Sequence, residues 1–183
     1  MLYFLRHGET EWNYLNMVQG RIDISLNKSG KEQARNTAAK VCNVDFDYIY
    51  ASPLSRVLET CEIVTNVKRK NYILDDRLLE REYGELQGTV FDYEKRKEIC
   101  LWNLDDCAVE KVKGLESLKS LKERVFAFLD EILPLAKNKN VLIASHYGVG
   151  TMVEMYFKGE PKSCDLSEYK IFNAEIRSYE IKD

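Results

Sequence analysis

Two histidines carry the chemistry that this sequence suggests, and they are the only histidines in the chain. His7 ends the short apolar run that begins at Leu2, and His146 ends the β-branched run that begins at Val141. Each is followed within two residues by glycine, as expected where a buried strand ends and the chain turns. Ligands of open α/β sheets bind beside the carboxyl ends of the strands, so we expect both imidazoles at one edge of a sheet.

Two arginines suggest what those imidazoles act on. Arg6 directly precedes His7, and Arg56 falls in the first turn of a helix that we expect to start at Pro53. Backbone N–H groups and the macrodipole already favour an anion at such a helix start. Guanidinium groups match phosphate oxygens in a two-point geometry. We therefore expect Arg6, His7, Arg56 and His146 to bind a phosphoryl group.

A covalent reaction is within reach of these groups. Neighbouring arginine charges lower the pKa of an imidazole, and the neutral ring is a nucleophile near pH 7. One histidine could then attack phosphorus while the arginines hold the phosphoryl oxygens. The leaving alkoxide needs a proton, and the candidate donors are Glu80 and Glu82, which lie in a glycine-punctuated loop.

Less specific interpretations compete with this one. A histidine at a strand end can be purely structural, Arg56 could be a surface arginine, and Glu80 and Glu82 could be solvated loop charges. A zinc site from His7, His146 and a carboxylate is not favoured, because the chain has no H-E-x-x-H motif and no paired cysteine spacing. We therefore expect no metal ligand.

Length and composition indicate one folded domain. The chain has 183 residues, of which 45% are hydrophobic and 31% charged. A net charge of −3 offers no general attraction to nucleic acid or anionic lipid. The apolar run from Leu2 to Leu5 is too short for a signal peptide, and no stretch approaches the ~18 apolar residues of a membrane span. We expect a cytoplasmic protein, a monomer or homodimer, with reduced cysteines and without nucleic-acid or membrane partners.

The hydrophobic pattern places strands and helices in alternation after the opening strand. Residues 9–26 are expected to form a long ordered loop and residues 103–114 an irregular segment. Helices are predicted at 27–41, 54–65, 90–102, 117–135 and 148–157, and further strands at 47–51, 71–74, 140–145 and 174–181. Such alternation predicts an α/β fold with a mostly parallel sheet that is covered on both faces.

A family resemblance adds to these expectations. The stretch from Arg6 to Asn13 matches the signature R-H-G-x-T-x-x-N and resembles the histidine phosphatase superfamily, also called the phosphoglycerate mutase-like family. The resemblance continues in register over nearly the whole chain, through Gln19, Gly20, Asp23, Leu26, Gly30, Gln33, Ala34, 52–56, Leu79, Glu80, Gly84, Gly88 and 145–148. It implies a three-layer α/β/α sandwich around a mainly parallel sheet.

The resemblance also implies roles for matching residues. His7 would be the phosphorylated nucleophile, Arg6, Arg56 and His146 would complete the phosphate pocket, and Glu80 would donate the proton. The matching motifs supply further expected substrate-binding residues, namely Gly8, Asn13, Gln19, Gly20, Arg81, Tyr83, Tyr147 and Gly148.

Within the family, two departures bear on function. The segment from Glu80 to Gly88 resembles the E-R-x-Y-G-x-L-x-G of cofactor-dependent phosphoglycerate mutases, which usually carry histidine where this chain has Glu82. With a relative-like backbone, Glu82 would bring negative charge toward the pocket mouth. The long insertion with adjacent arginines that grips a second anion in mutases is also missing.

The expected protein is therefore a metal-independent phosphomonoesterase that hydrolyses a small phosphorylated metabolite through a phosphohistidine, without a cofactor. Residues 89–114 are expected to cover the substrate within a single domain spanning 1–183. One alternative is a phosphoglycerate mutase that uses 2,3-bisphosphoglycerate. A second is a non-catalytic regulatory module that binds a phosphorylated ligand, although every catalytic position of the signature is filled.

Overall fold

The centre of the molecule is a five-stranded sheet, seen in a computed structural model that describes residues 1–91, 98–99 and 101–181. The strands are β1 (Leu2–Arg6), β2 (Tyr48–Ala51), β3 (Ile73–Leu74), β4 (Val141–Ser145) and β5 (Ile176–Tyr179). They lie in the order β3-β2-β4-β1-β5, and only the pairing of β1 with β5 is antiparallel. The predicted α/β fold with a mainly parallel sheet is confirmed.

Helices cover both faces of this sheet. The described helices are α1 (Glu11–Tyr14), α2 (Lys28–Lys40), α3 (Ser55–Thr65), α4 (Ala108–Lys111), α5 (Leu118–Ala136) and α6 (Tyr147–Lys158). Of these, α2 and α3 cover one face of the sheet, and α5 and α6 cover the other. Alternate residues of β1 and β4 face opposite sides, so Phe4 and Ile143 pack in the core with α5 and α6, whereas Leu5 and Leu142 pack with α2 and α3. The result is an α/β/α sandwich. None of the helices in the described ranges is long and apolar enough to cross a membrane.

Side-chain caps set where several helices begin. Asn27 precedes α2, and its side chain accepts a hydrogen bond of 2.8 Å from the Gly30 N–H. Ser117 caps α5 in the same way. Thr10 and Asn13 form a capping box that starts the short helix α1 inside the segment predicted as a loop.

Other boundaries differ from the prediction. Strand β3 has two residues, because Asn71 belongs to a 3₁₀ turn. The N–H of Asn71 donates to the Lys68 carbonyl. Strand β5 is shorter than predicted, since Ala174 has a φ of 53°, which an extended strand does not allow. Helix α4 lies in the segment predicted as irregular. Most of the predicted helix 90–102 falls on residues 92–97 and 100, outside the described residues.

Candidate active site

A cavity of about 720 Å³ opens at the carboxyl ends of β1 and β4. The parallel register sets Arg6 opposite Ser145, so the residues that follow both strands emerge side by side. Predicted site residues that line the cavity are Arg6, His7, Asn13, Gln19, Gly20, Arg56, Glu80, Tyr83 and Tyr147. The rings of His7 and His146 meet edge to face, with their centroids 5.3 Å apart.

The hydrogen bond of His7 decides which ring nitrogen is available. Nδ1 lies 2.7 Å from the Gly8 carbonyl, which can only accept, so Nδ1 carries the proton and donates it. Burial lowers the pKa of His7 well below its ordinary value, and the charges of Arg56 and Arg6 lower it further. The ring is therefore neutral at physiological pH, and Nε2 retains a lone pair for an electrophile in the cavity.

His146 lies behind the cavity surface and is fully buried. Its Nε2 is 2.7 Å from the Ser52 hydroxyl oxygen, and its Nδ1 has no hydrogen-bond partner within the described ranges. Burial is the main cause of a strongly lowered pKa of His146, followed by the charge of Arg56. This second ring is thus also neutral, and it contacts His7 directly.

In the part of the chain that the structure describes, the two arginines are held by backbone carbonyls. Arg56 is fully buried and donates to the Ile22 and Gly20 carbonyls over 2.8 and 2.7 Å. Burial lowers its pKa to about 10, so it remains charged at neutral pH. Arg6 donates to the Ile171 carbonyl over 2.6 Å. The Nε–H groups of both arginines are buried and find no acceptor among the described residues.

Glu80 and Glu82 differ in where their carboxylates point. Glu80 lines the cavity, and its Oε1 accepts hydrogen bonds from the N–H groups of Arg81 (2.8 Å) and Gly148 (3.0 Å). Burial raises the pKa of Glu80, although these bonds and both cavity arginines oppose the rise. Glu82 does not line the cavity; it accepts from the Gly84 N–H and lies 3.9 Å from the Arg21 guanidinium. The expectation that Glu82 points to the pocket mouth does not agree with this placement.

Four predicted substrate-binding residues do not reach the cavity surface, namely Gly8, Arg81, His146 and Gly148. Arg81 is fully buried, because its guanidinium donates to the Glu116 and Leu101 carbonyls and lies over the Trp102 ring. It ties loops together and does not face the cavity. Gly8 packs against α2, where an added Cβ would lie 2.5 Å from the Gly30 carbonyl oxygen.

Several of the predicted pocket residues lie close to Thr10. The Thr10 hydroxyl donates to Gln19 Oε1 over 2.9 Å, and Asn13 Oδ1 accepts from the Thr10 N–H. Gly20 has a φ of 53°, and its carbonyl is one of the two that hold Arg56. The segment from 10 to 20 thus positions the side-chain amides of Asn13 and Gln19 and also the buried guanidinium of Arg56.

The residues that form one wall of the cavity were not identified from the sequence. This wall consists of Phe91, Leu101, Trp102 and Asn103 from the expected covering segment, and of Asp165, Ser167 and Lys170 from the loop after α6. Two backbone hydrogen bonds of 3.0 Å, from Leu166 N to Trp102 O and from Leu104 N to Cys164 O, tie these segments together. Three consecutive basic residues of the predicted helix 90–102, namely Lys95, Arg96 and Lys97, lie outside the described residues.

Replacing Gly148 with alanine is expected to lower kcat by roughly 100-fold, since a misplacement near 1 Å costs about that much. A Cβ there would lie 2.5 Å from Glu80 Oε1, so the carboxyl would have to move. The control is Gly150→Ala on the same helix, where the added Cβ meets the side chains of Ile171 and Phe4. Steady-state kinetics measure the loss of activity in both variants, and thermal melting measures any loss of stability. Equal losses of activity would contradict the special position of Gly148.

Comparison with known proteins gives a consistent result. The sequence model of the histidine phosphatase superfamily (branch 1) matches residues 2–183. Phosphoserine phosphatase 1 of Hydrogenobacter thermophilus is 32% identical over 183 residues, covering 98% of this chain and 84% of the relative. A 2,3-bisphosphoglycerate-dependent phosphoglycerate mutase of Parvibaculum lavamentivorans is 36% identical over 157 residues, covering 80% of this chain and 74% of the relative.

A solved structure resembles the whole molecule. It is a phosphoserine phosphatase mutant from Entamoeba histolytica in complex with phosphoserine, which is 27% identical and superposes with a TM-score of 0.78. The match covers 96% of this chain and 87% of the other.

Proposed function

The chain belongs to the histidine phosphatase superfamily, and from this we propose that it hydrolyses a small phosphomonoester through a phosphohistidine at His7. The observation that carries the proposal is the state of His7. Its Nδ1 proton is committed to the Gly8 carbonyl, so the unprotonated Nε2 is left for a cavity lined by Arg6 and Arg56. Glu80, with a raised pKa, lines the same cavity.

These residues suffice for a balanced two-step reaction. Arg6 and Arg56 bind the phosphoryl oxygens, and His7 Nε2 attacks phosphorus. The P–N bond forms as the P–O bond to the leaving group breaks, and Glu80 gives its proton to the departing oxygen. In the second step the Glu80 carboxylate takes a proton from water, whose oxygen attacks phosphorus. The P–N bond breaks, and inorganic phosphate and neutral His7 are released.

A phosphoglycerate mutase is the second candidate, because the 36% identical relative bears that name. A mutase must hold a second anionic group and keep its phosphoenzyme from water. Besides Arg6 and Arg56, the cation that lines the cavity within the described ranges is Lys170, which is exposed. Among the described residues, this sparse positive charge supports hydrolysis over mutase activity. Glu82 does not add negative charge to the cavity lining, since its carboxylate accepts from the Gly84 N–H and does not line the cavity.

The deciding experiment compares two rates for the purified protein. We expect phosphate release from a panel of monoesters, including phosphoserine and 3-phosphoglycerate, to exceed the interconversion of 2- and 3-phosphoglycerate primed with the bisphosphate. Interconversion faster than release would establish the mutase instead. Ligand binding without turnover of any panel member would indicate the regulatory module.

Metal independence is part of the proposal, because the arginines supply the charge that metal ions supply in other phosphoryl-transfer sites. Within the described ranges no group of three or more histidine, cysteine, aspartate or glutamate side chains could hold a metal ion. We expect phosphate release to be unchanged after dialysis against EDTA. Activity that disappears with the chelator and returns with a divalent ion would overturn this prediction. We also propose a cytoplasmic monomer or homodimer that needs no organic cofactor.

A further inference from the structure

A partly buried cluster of charged side chains lies next to Glu80, outside the cavity lining. It consists of Arg124 on α5, Glu116 just before that helix and Arg21. We propose that Arg124 is a positioning residue, which fixes the backbone that carries Glu80 and thereby aims its carboxyl group. This inference rests on the proposed role of Glu80 as proton donor.

The contacts of Arg124 converge on one short segment. Its Nη1 donates to the carbonyls of Arg77 (2.6 Å) and Leu79 (2.7 Å), and its Nη2 donates to the carbonyl of Glu80 over 3.2 Å. One guanidinium group therefore holds three carbonyls within four residues. Arg21 adds a second donor to the Glu80 carbonyl, at 3.1 Å.

Glu116 fixes the guanidinium in turn. Arg124 binds it at two points, Nε to Oε1 over 2.7 Å and Nη2 to Oε2 over 2.9 Å. Burial opposes the charge of Glu116. The hydrogen bonds and charge of Arg124, the Glu82 N–H and the charge of Arg21 together outweigh burial and lower the pKa of Glu116, so the pair stays ionised. Glu116 Oε2 also accepts from the Glu82 N–H over 3.1 Å. The cluster thus holds the chain on both sides of Glu80.

The need for such a support follows from proton transfer itself. The Glu80 carboxyl is held through bonds that its oxygen accepts from the N–H groups of Arg81 and Gly148. Those bonds weaken when the carboxyl is protonated, because a neutral oxygen is a poorer acceptor than a charged one. The bonds from Arg124 end on peptide carbonyls, whose charge does not change during the reaction. They keep Glu80 in place in both of its protonation states.

Arg124→Lys tests the proposal, since lysine keeps the charge but cannot form the fork. Turnover is measured with two substrates, an alkyl phosphate, whose leaving group needs a proton, and 4-nitrophenyl phosphate, which needs little help. We expect kcat/KM to fall roughly 10–100-fold on the alkyl phosphate and less than about threefold on the nitrophenyl ester. The fall in activity with rising pH that reflects Glu80 should also shift.

The matched control is Arg77→Lys. Arg77 lies in the same segment and pairs with Asp75 and Glu131 at the surface, without bonding to backbone carbonyls there. We expect similar losses on both substrates for this control, and none larger than about threefold. Thermal melting reports whether each variant is folded.

Glu116→Gln is the second variant, in case the lysine variant does not fold. It keeps the shape but loses the charge that orients Arg124, so we expect the same preference for losses on the alkyl phosphate, at smaller size. Equal losses on both substrates, or none, in a folded variant of an active protein would overturn the positioning role alone. A wild-type protein that hydrolyses neither substrate would overturn the proposed function and this inference with it.

Discussion

His7→Ala is expected to lower kcat for phosphate release by roughly 10⁴–10⁶-fold, the range seen when a covalent nucleophile is removed. The alanine variant has no Nε2 to attack phosphorus, and His146 cannot substitute for it, because that ring is fully buried behind the cavity. Wild-type protein quenched during turnover with labelled substrate should carry an acid-labile, alkali-stable phosphate on the peptide that contains His7.

The control for this variant is anion binding. Arg6 and Arg56 remain, so His7→Ala should bind inorganic phosphate with an affinity within a few-fold of wild type in calorimetry. A label that maps to another residue, or near-normal turnover of the alanine variant, would show that His7 is not the nucleophile.

Glu80→Gln is expected to lose roughly 10²–10⁴-fold in kcat/KM on alkyl phosphates and much less on 4-nitrophenyl phosphate. Glutamine keeps the oxygen that accepts from the Arg81 and Gly148 N–H groups but has no acidic proton. Glu82→Gln serves as the matched control from the same loop, because Glu82 lies outside the cavity lining. Equal losses on both substrates for Glu80→Gln would indicate a structural role.

The pH profile provides a separate test of Glu80. Its folded-state pKa is raised, and the protonated form is the one that donates in the first step, so kcat/KM should fall as pH rises through that pKa. The glutamine variant should lack this fall. The pKa of His7 is lowered, so acidification through the ordinary histidine value near 6.5 should not protonate the nucleophile. A loss of activity in that acidic range would contradict a neutral His7.

The sequence predicted those parts of the site that depend on local pattern. The strand ends at Arg6 and Ser145 could be located, because an apolar run broken by polar residues and glycine marks them, and parallel strands bring their carboxyl ends together. The start of α3 placed Arg56 equally well. For these two strand ends, the local sequence pattern alone was enough.

Other parts depend on contacts between distant segments. Glu80 and Glu82 look alike in sequence, but their carboxylates point to different places. Glu80 accepts from the Gly148 N–H, whereas Glu82 lies near the Arg21 guanidinium. Arg81 shares the motif of Glu80, yet its guanidinium is bound by carbonyls far along the chain. The wall with Trp102 and Lys170 forms only when two aperiodic loops pair, so no hydrophobic period could have located it.

The position of β1 in the sheet has a consequence for synthesis of the chain. Leu2 lies opposite Val141 on one side and Tyr179 on the other, and neither β2 nor β3 touches β1 in the sheet. The strand that leads into His7 is therefore the first to leave the ribosome and has no sheet neighbour until β4 follows. Contacts this distant in sequence slow folding and leave apolar segments unpaired meanwhile. His7 can reach its place in the sheet only after β4 has been made, so β1 must avoid wrong pairings while the segment between these two strands is synthesised.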